Sequence, residues 1–354
     1  MNNEKTLGEH LSEYGVSRRT FLKFCAAMSS VLALPPTRAA EMADMLSTKP
    51  RQSVIYLSFQ ECTGCLESLT RSFSPTIQSL LFDVISLDYN DTLMAAAGEQ
   101  AEQAREQAME KNKGKYLVVV DGSIPTGDGG VYHTAAGHTA LDTLHRVAKD
   151  AAALVAVGNC ASFSGIAGAK PNPTGAKALM DIITDKPVIN VPGCPPIPEV
   201  MAGTLAYVVT FGKLPELDNL KRPLTFFGNT IHDRCYRRPF YDQGKFAKTF
   251  DDEGARAGWC LYELGCKGPT TYNSCATTKW NGGVSFPIQS GHGCLGCSEP
   301  NFWDAGGFYN PLSTGHWGTA EGIALAAAGG VAVGAAAAAL ARARQKKFTE
   351  EENK

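Results

Sequence analysis

The chain has 354 residues, enough for about two domains if a domain takes roughly 150 residues. Its 33 basic and 35 acidic side chains leave a net charge of −2, without the basic surplus of a nucleic-acid-binding protein, so we expect no nucleic-acid partner. An apolar fraction of 44% excludes a wholly disordered chain. The eleven cysteines are too few for a small disulfide scaffold, and too many for a reduced cytosolic enzyme unless most of them bind metal.

The first forty residues are typical of an export signal. The twin arginines Arg18 and Arg19 precede a weakly apolar run from Phe24 to Leu34, and small residues ending at Ala40 offer a cleavage point. The pattern predicts a twin-arginine signal peptide over residues 1–40, with export to the periplasmic side of the inner membrane. An amphipathic basic helix is the alternative. Loss of the segment would remove Cys25 and leave ten cysteines.

Residues 50–215 alternate short apolar runs with helical patterns. The runs predict five strands: Val54–Phe59, Val84–Leu87, Tyr116–Asp121, Leu154–Gly158 and Pro187–Val191. The helical patterns cover Thr92–Lys111, Leu141–Ala151, Ala176–Ile183 and Glu199–Phe211. This alternation favours an α/β fold with a doubly wound parallel sheet. Ligands of such sheets bind at the carboxyl ends of the strands.

Residues 216–312 have a different composition, dense in Pro, Gly, Cys and aromatic residues, and a helix is predicted only at Phe240–Gly254. So irregular a segment buries little apolar surface, and we expect metal or cluster ligation to cross-link it.

The C-terminal residues 320–342 predict a transmembrane anchor. Gly322–Ala341 carries no charge and, as a helix, would span roughly the 30 Å of a bilayer core. The basic residues that follow, beginning at Arg342, place that end in the cytoplasm. A buried or interfacial helix is the alternative.

The ten remaining cysteines and one histidine fall into three sets by motif. The first set follows the predicted strands and consists of Cys62, Cys65, Cys160 and Cys194; the second is His232, Cys235, Cys260 and Cys266; the third is Cys275, Cys294 and Cys297. Thiolates, with an occasional histidine, are the ligands of iron–sulfur clusters. A disulfide framework and structural zinc are the alternatives. The G-x-G-x-x-G pattern at Gly291–Gly296 follows no strand, so it predicts no nucleotide site.

With these motifs the chain resembles the small subunit of membrane-bound, uptake-type [NiFe] hydrogenases. The matching stretches are Glu61–Cys65, Asp88–Gly98, Asp121–Pro125, Pro171–Thr174, Pro192–Pro198, Ile231–Arg238, Trp259–Cys275 and Ser285–Cys297. The resemblance implies a flavodoxin-like N-terminal domain and a loop-rich iron–sulfur C-terminal domain. It implies that the first set holds a proximal [4Fe–4S] cluster, the second a distal [4Fe–4S] cluster and the third a medial [3Fe–4S] cluster.

The same resemblance implies the partners: a nickel-containing large subunit and a membrane cytochrome b, with electrons passing from H₂ towards quinone. Nickel needs soft ligands of its own and no cysteine is left over, so we expect no catalytic residue in this chain. The other functions considered are a cluster subunit like that of respiratory complex I, an exported disulfide-stapled binding protein without a redox role, and a free-standing ferredoxin-like carrier.

Three further features have two interpretations each. Glu61 precedes the first ligand and serves either in proton traffic, as the resemblance suggests, or as a surface carboxylate or helix cap. Oxygen-tolerant members of the family carry extra cysteines at the positions of Gly64 and His133, so an ordinary, oxygen-sensitive proximal cluster is expected. His133 lies either near that cluster or in a solvated or core position. The basic residues Arg234, Arg237 and Arg238 form either a docking surface or ordinary solvated charge.

Pro287 stands, by the same resemblance, where a fourth ligand of the third set would come. Because Pro287→Cys supplies that thiolate, we expect the three-iron cluster to become a four-iron cluster of lower potential, followed by electron paramagnetic resonance. An unchanged three-iron signal in the variant would contradict the assignment.

Overall fold

The computed structural model describes residues 6–13, 17–48 and 50–312. Its centre is a five-stranded parallel sheet in the order β2-β1-β3-β4-β5. The strands are β1 (Gln52–Ser58), β2 (Ile85–Tyr89), β3 (Leu117–Asp121), β4 (Ala153–Val157) and β5 (Val188–Val191). This order is that of a flavodoxin-like sheet, and all five predicted strands are confirmed to within a few residues. Short antiparallel pairs join Ile124–Pro125 to Ala176–Lys177 and Thr134–Ala135 to His138–Thr139.

Eight helices longer than five residues accompany the sheet in the described part of the chain. They are α1 (Leu7–Glu13), α2 (Arg18–Val31), α3 (Thr37–Ser47), α4 (Gly64–Thr70), α5 (Glu99–Lys111), α6 (Ala140–Ala148), α7 (Gly158–Phe163) and α8 (Pro198–Phe211). Single turns of helix occur at Ile77–Ser79, Gly165–Gly168, Leu179–Ile182, Leu224–Phe227, Arg238–Asp242 and Glu253–Arg256. One five-residue π-helical segment, Leu80–Val84, leads into β2.

The helices cover both faces of the sheet, which makes the fold doubly wound. Val54 and Val119 point to one face and pack with α4 and α8. Their neighbours Ile55 and Val118 point to the other face and pack with α5 and α6. Because successive side chains of a strand alternate between faces, strands covered on both sides are expected to be mostly apolar. β3, β4 and β5 are fully buried, and Asp121 and Asn190 are their only polar residues.

The register of the strands aligns their carboxyl ends in one row. Ser58 of β1 pairs with Asp121 of β3, Asp121 with Val157 of β4, and Val157 with Val191 of β5. The turns that follow β1, β4 and β5 therefore leave the sheet side by side at the same edge. This edge is where parallel sheets of this order bind their ligands, beside the topological switch between β1 and β3.

The N-terminal helices pack onto the body. Phe21, Met28 and Met42 are buried in the same apolar cluster as α8, and α2 and α3 both contact α8. The predicted signal segment is therefore folded here, and the predicted cleavage point near Ala40 lies inside α3. The predicted anchor at residues 320–342 lies outside the described residues. Within the described ranges, no helix is long and apolar enough to span a bilayer.

Residues 216–312 form the irregular region expected from their composition, with a small core around Ile231, Leu261 and Phe286. The predicted helix at Phe240–Gly254 was wrong: only Arg238–Asp242 and Glu253–Arg256 are helical. Between them the chain turns at Gly244, with φ +68°, and runs beside Cys260, whose carbonyl accepts the Ala247 N–H at 2.9 Å. Instead of forming a helix, this segment pairs through its backbone with Cys260 and helps to position that cysteine.

The predicted helix at Thr92–Lys111 starts seven residues late, at Glu99. The Asn90 side chain accepts hydrogen bonds from the Thr92 and Leu93 amides and holds that segment in a turn, and Gly98 adopts a positive φ before the helix. Local side-chain hydrogen bonds of this kind compete with helix formation.

Leu144 of α6 tests the packing of the sheet. It is fully buried, and Leu144→Ala should lower the free energy of unfolding by about 2–5 kcal/mol through lost burial and the cavity left behind. The matched substitution Leu93→Ala, at a side chain that is 42% exposed, should change it by less than about 0.5 kcal/mol. Chemical denaturation followed by circular dichroism measures both; equal losses would contradict this packing.

Candidate metal centres

The turns at the sheet edge bring the four cysteines of the first set together. Cys62 and Cys65 follow β1 at the start of α4, Cys160 lies in α7 directly after β4, and Cys194 follows β5. Cys62 and Cys194 are exposed at the rim, whereas Cys65 is buried. The three turns leave the sheet at the same edge, and Cys160 and Cys194 are neighbours of Cys65 there.

Glycines make room for these thiols. Gly158 has φ +85°, and a Cβ at this position would lie 2.4 Å from Cys65 Sγ. Gly165 has φ +52°, and its Cβ would lie 2.4 Å from Cys160 Sγ. Only glycine accepts both the left-handed backbone and the close approach. The backbone is thus shaped around the sulfur atoms.

The position of these thiols makes them harder to ionise. Burial raises the pKa of Cys65 well above its usual range, and the carboxylate of Asp121 and the thiols of Cys160 and Cys194 add to the shift. Burial likewise raises the pKa of Cys160 to about 11. Neighbouring thiols in a buried site resist ionisation, whereas a bound metal ion deprotonates them. The donor set therefore fits a cationic, thiolate-binding group.

Asp121 is a site residue that the cysteine motifs did not reveal. It is 1% exposed, accepts a hydrogen bond from Tyr56 Oη at 3.2 Å, and lies beside Cys65. Burial raises its pKa to about 6, against the hydrogen bonds from Cys65 and Tyr56, which lower it. The sequence feature that could have revealed Asp121 is a carboxylate at the carboxyl end of an otherwise apolar strand.

Glu61 is half-buried, and burial followed by the charge of Asp121 raises its pKa to about 7. It does not cap α4, whose N-cap residue is Thr63; instead the Thr63 hydroxyl donates to Glu61 Oε1 at 3.3 Å.

Of the two positions compared with oxygen-tolerant relatives, Gly64 lies against Cys62, since its Cβ would be 3.1 Å from Cys62 Sγ. His133 packs edge-on against Phe59 at 5.5 Å between ring centroids.

The second set lines one small cavity in the C-terminal region. His232, Cys235, Cys260 and Cys266 all face it. Burial and the charge of Arg238 lower the pKa of His232, which favours the neutral imidazole that binds metals. The Arg237 amide donates to Cys235 Sγ at 3.4 Å. Such hydrogen bonds to ligand sulfurs tune iron–sulfur sites.

The third set lies between the other two. The Cys294 amide donates to Cys266 Sγ of the second set at 3.3 Å. Burial raises the pKa of Cys297, and a hydrogen bond from the Cys194 backbone of the first set opposes that shift. Burial raises the pKa of Cys275 to about 12, and the neighbouring Cys297 thiol adds to the shift. The three sets therefore run through the molecule in the order first, third, second.

The remaining predicted residues lie around the second and third sets. Pro287 is exposed between the buried Phe286 and Ile288. Arg234 is exposed and Arg238 pairs with Asp233 and Asp242, but Arg237 is buried and donates to the Trp259 carbonyl at 2.7 Å. Arg237 is therefore neither part of a docking surface nor solvated charge, because its guanidinium group holds the backbone next to Cys260.

All eleven cysteines lie within the described residues, and each is a free thiol. In the described ranges, no three His, Cys, Asp or Glu side chains are arranged to hold a single metal ion. A doubly wound sheet with thiols at its carboxyl edge, joined to a second thiol-rich region, is the arrangement expected of an iron–sulfur protein.

Comparison with known proteins agrees with this class. The family model for the C-terminal part of the NiFe/NiFeSe hydrogenase small subunit matches residues 227–310, and that of the NADH ubiquinone oxidoreductase 20 Kd subunit matches residues 62–208. The uptake hydrogenase small subunit of Azotobacter vinelandii is 50% identical over 94% of both chains. The hydrogenase-1 small chain of Escherichia coli K12 is 48% identical over 94% of this chain and 90% of its own.

A solved structure shares the fold. The Ni-Fe-Se hydrogenase from Desulfomicrobium baculatum superposes with a TM-score of 0.69 at 39% identity, covering 74% of this chain and 99% of the other. The chain belongs to the hydrogenase small-subunit family. The match to the NADH ubiquinone oxidoreductase family spans the first domain alone, so a likeness to complex I does not account for the whole chain.

Gly158 tests the cradle around the first set. Gly158→Ala places a methyl group against Cys65 Sγ, and we expect less iron and acid-labile sulfide per purified chain. Gly137→Ala is the matched control, because Gly137 has a similar φ of +78° with nothing within 4 Å of its Cβ. It carries the same backbone strain without the clash and should retain iron. Equal iron contents would show that the cradle does not position the thiol.

Proposed function

We propose that this chain is the electron-transfer subunit of an uptake hydrogenase, oxidising no substrate itself and conducting electrons away from a nickel-containing large subunit. The observation that carries the proposal is that the loop of the third set contacts both other sets: the Cys294 amide donates to Cys266 Sγ at 3.3 Å, and Asn159, next to Cys160, donates to the Cys297 carbonyl at 3.1 Å. Metal sites that store metal or stabilise the fold need not contact one another, whereas electron conduction requires neighbouring sites. Family membership supports the assignment.

The proposed ligand sets are those indicated by the motifs. Cys62, Cys65, Cys160 and Cys194 would hold a proximal [4Fe–4S] cluster; His232, Cys235, Cys260 and Cys266 a distal [4Fe–4S] cluster; and Cys275, Cys294 and Cys297 a medial [3Fe–4S] cluster. When bound, such clusters accept and release single electrons at potentials set by hydrogen bonds to sulfur, net charge and solvent exposure. The position of the third set between the others supports its medial assignment.

The residues of this chain have three tasks in that scheme. Gly158 and Gly165 leave space for sulfur and let the backbone approach it. The amides of Arg237 and Cys294 donate hydrogen bonds to ligand thiols, which favours the ionised form. The small core around Ile231 and Phe286 excludes water from the second and third sets.

The first set is also where the large subunit is proposed to bind. Cys62 and Cys194 are exposed. Ile166, whose backbone forms a hydrogen bond with Cys160, is 59% exposed. Exposed thiols and an exposed apolar side chain at one edge are what a partner protein would cover. Since no cysteine remains for nickel, hydrogen chemistry belongs to that partner.

The remaining proposals concern location and domains. We propose a twin-arginine signal over residues 1–40, a flavodoxin-like domain over 50–215, a cluster domain over 216–312 and a membrane anchor over 320–342. The mature protein would lie on the periplasmic side of the inner membrane and pass electrons to a cytochrome b. The twin arginines and the uncharged Gly322–Ala341 run support these assignments.

Metal analysis of the native complex, extracted from membranes, tests the function. We expect nickel to co-purify with the chain and iron to match two four-iron clusters and one three-iron cluster. Because the ligands are thiolates, iron and sulfide should leave together on acidification. Iron without nickel would favour a free-standing carrier, and a chain without iron would refute the proposal.

A further inference from the structure

Asn159 joins three ligand-bearing segments, although it is not itself a ligand. It is 2% exposed and directly precedes Cys160. Its backbone N–H donates to the Gly193 carbonyl at 2.7 Å, next to Cys194. Its side-chain Nδ2 donates to the Cys297 carbonyl at 3.1 Å and to the Glu299 carbonyl at 3.0 Å. The side chain thus crosses from the first thiol set to the loop of the third.

The chemistry of this contact specifies an asparagine. A carboxamide NH₂ group has two N–H donors, and both are used here on two backbone carbonyls. Aspartate has the same shape but no donor, and its charge would face two carbonyl oxygens. Serine supplies one donor at most. Removal of the amide leaves carbonyls without their partner in a buried junction, which costs more than the hydrogen bond itself contributes.

The loop that Asn159 holds is held from its other side by Arg222. Arg222 Nη1 pairs with Glu299 Oε1 at 3.0 Å, and its Nε pairs with Asp218 at 2.7 Å. The Tyr272 amide donates to the same Glu299 oxygen at 2.6 Å. Arg222 is 4% exposed, so a buried guanidinium group anchors this side of the loop. The Asn159 side chain ties the anchored loop to the first set.

We propose that Asn159 is a positioning residue that sets the distance and hydrogen bonding between the first and third thiol sets, and through them the rate at which electrons cross between the groups they hold. The inference rests on the proposed function. The hydrogen bond from the Cys194 backbone to Cys297 lies in the same junction. If the loop shifts, both the gap and that hydrogen bond to sulfur change, so the potential of the group held by the third set changes with them.

The test uses the purified complex with its large subunit. Three variants test the contact: Asn159→Asp keeps the shape without donors, Asn159→Ala removes the side chain, and Asn159→Ser leaves a hydroxyl group on Cβ that is too short to reach either carbonyl. Asn112→Ala is the matched control. Asn112 is half-buried at the end of α5 and donates through Nδ2 to the Ala108 carbonyl at 2.9 Å, and in the described part of the chain its hydrogen bonds reach neither a ligand-bearing loop nor the segment of Arg222.

The readouts are iron content, the magnetic coupling between the first-set and third-set clusters in paramagnetic resonance, and the midpoint potential of the third-set cluster. We expect full iron with altered coupling and potential in Asn159→Asp and Asn159→Ala, and roughly tenfold slower H₂ oxidation. Asn159→Ser should resemble Asn159→Ala, because its hydroxyl group does not reach the two carbonyls. Asn112→Ala should lose thermal stability while its spectrum and potential stay those of the wild type.

Wild-type coupling and potential in both Asn159→Ala and Asn159→Asp would overturn the inference, even if thermal stability fell, because that result describes a purely structural contact. The same shift of potential in Asn112→Ala would overturn it too. If Asn159→Asp does not assemble, Asn159→Ala and Asn159→Ser decide by the same readouts. A wild-type complex without cluster signals would refute the proposed function itself.

Discussion

The alignment of four strand ends is the constraint on which the rest of this structure depends. Because β1, β3, β4 and β5 are in register at Ser58, Asp121, Val157 and Val191, the turns that follow leave the sheet at one edge. The thiols of the first set are carried there by three separate turns. The glycines that admit sulfur lie at that edge, and Asn159 ties the loop of the third set to it.

Burial of many thiols in one molecule has an electrostatic consequence that metal ligation resolves. Burial raises the pKa of Cys65, Cys160 and Cys275, so the chain alone favours neutral thiols at these positions. Backbone amides that point at sulfur, such as that of Cys294 at Cys266, oppose the shift only in part. In the proposed function, a positively charged metal group supplies the remaining stabilisation. Ligation and folding of residues 216–312 would thereby be linked, since their apolar core is small.

Some local predictions failed where tertiary contacts outweigh local pattern. The helical pattern at Phe240–Gly254 is interrupted because the chain there pairs with the Cys260 backbone. From the sequence, Arg237 was expected to be surface charge like Arg238, but its guanidinium group is buried against the Trp259 carbonyl. Asp121 gave only the weak signal of a carboxylate ending an apolar strand. Partners far along the chain decided each of these cases, and a local pattern does not contain them.

The sequence by itself determined which residues are candidate ligands and where the sheet places the first four. Apolar runs of strand length that alternate with helical patterns favour a parallel sheet, and the cysteines that follow three of the five runs then lie at its carboxyl edge. Only the tertiary structure decided the order of the three sets and the junction at Asn159. The contacts of Cys294 with Cys266, and of Cys297 with the Cys194 backbone, join loops that no sequence periodicity relates. The physical reason is that irregular loops are positioned by the partners they find in space.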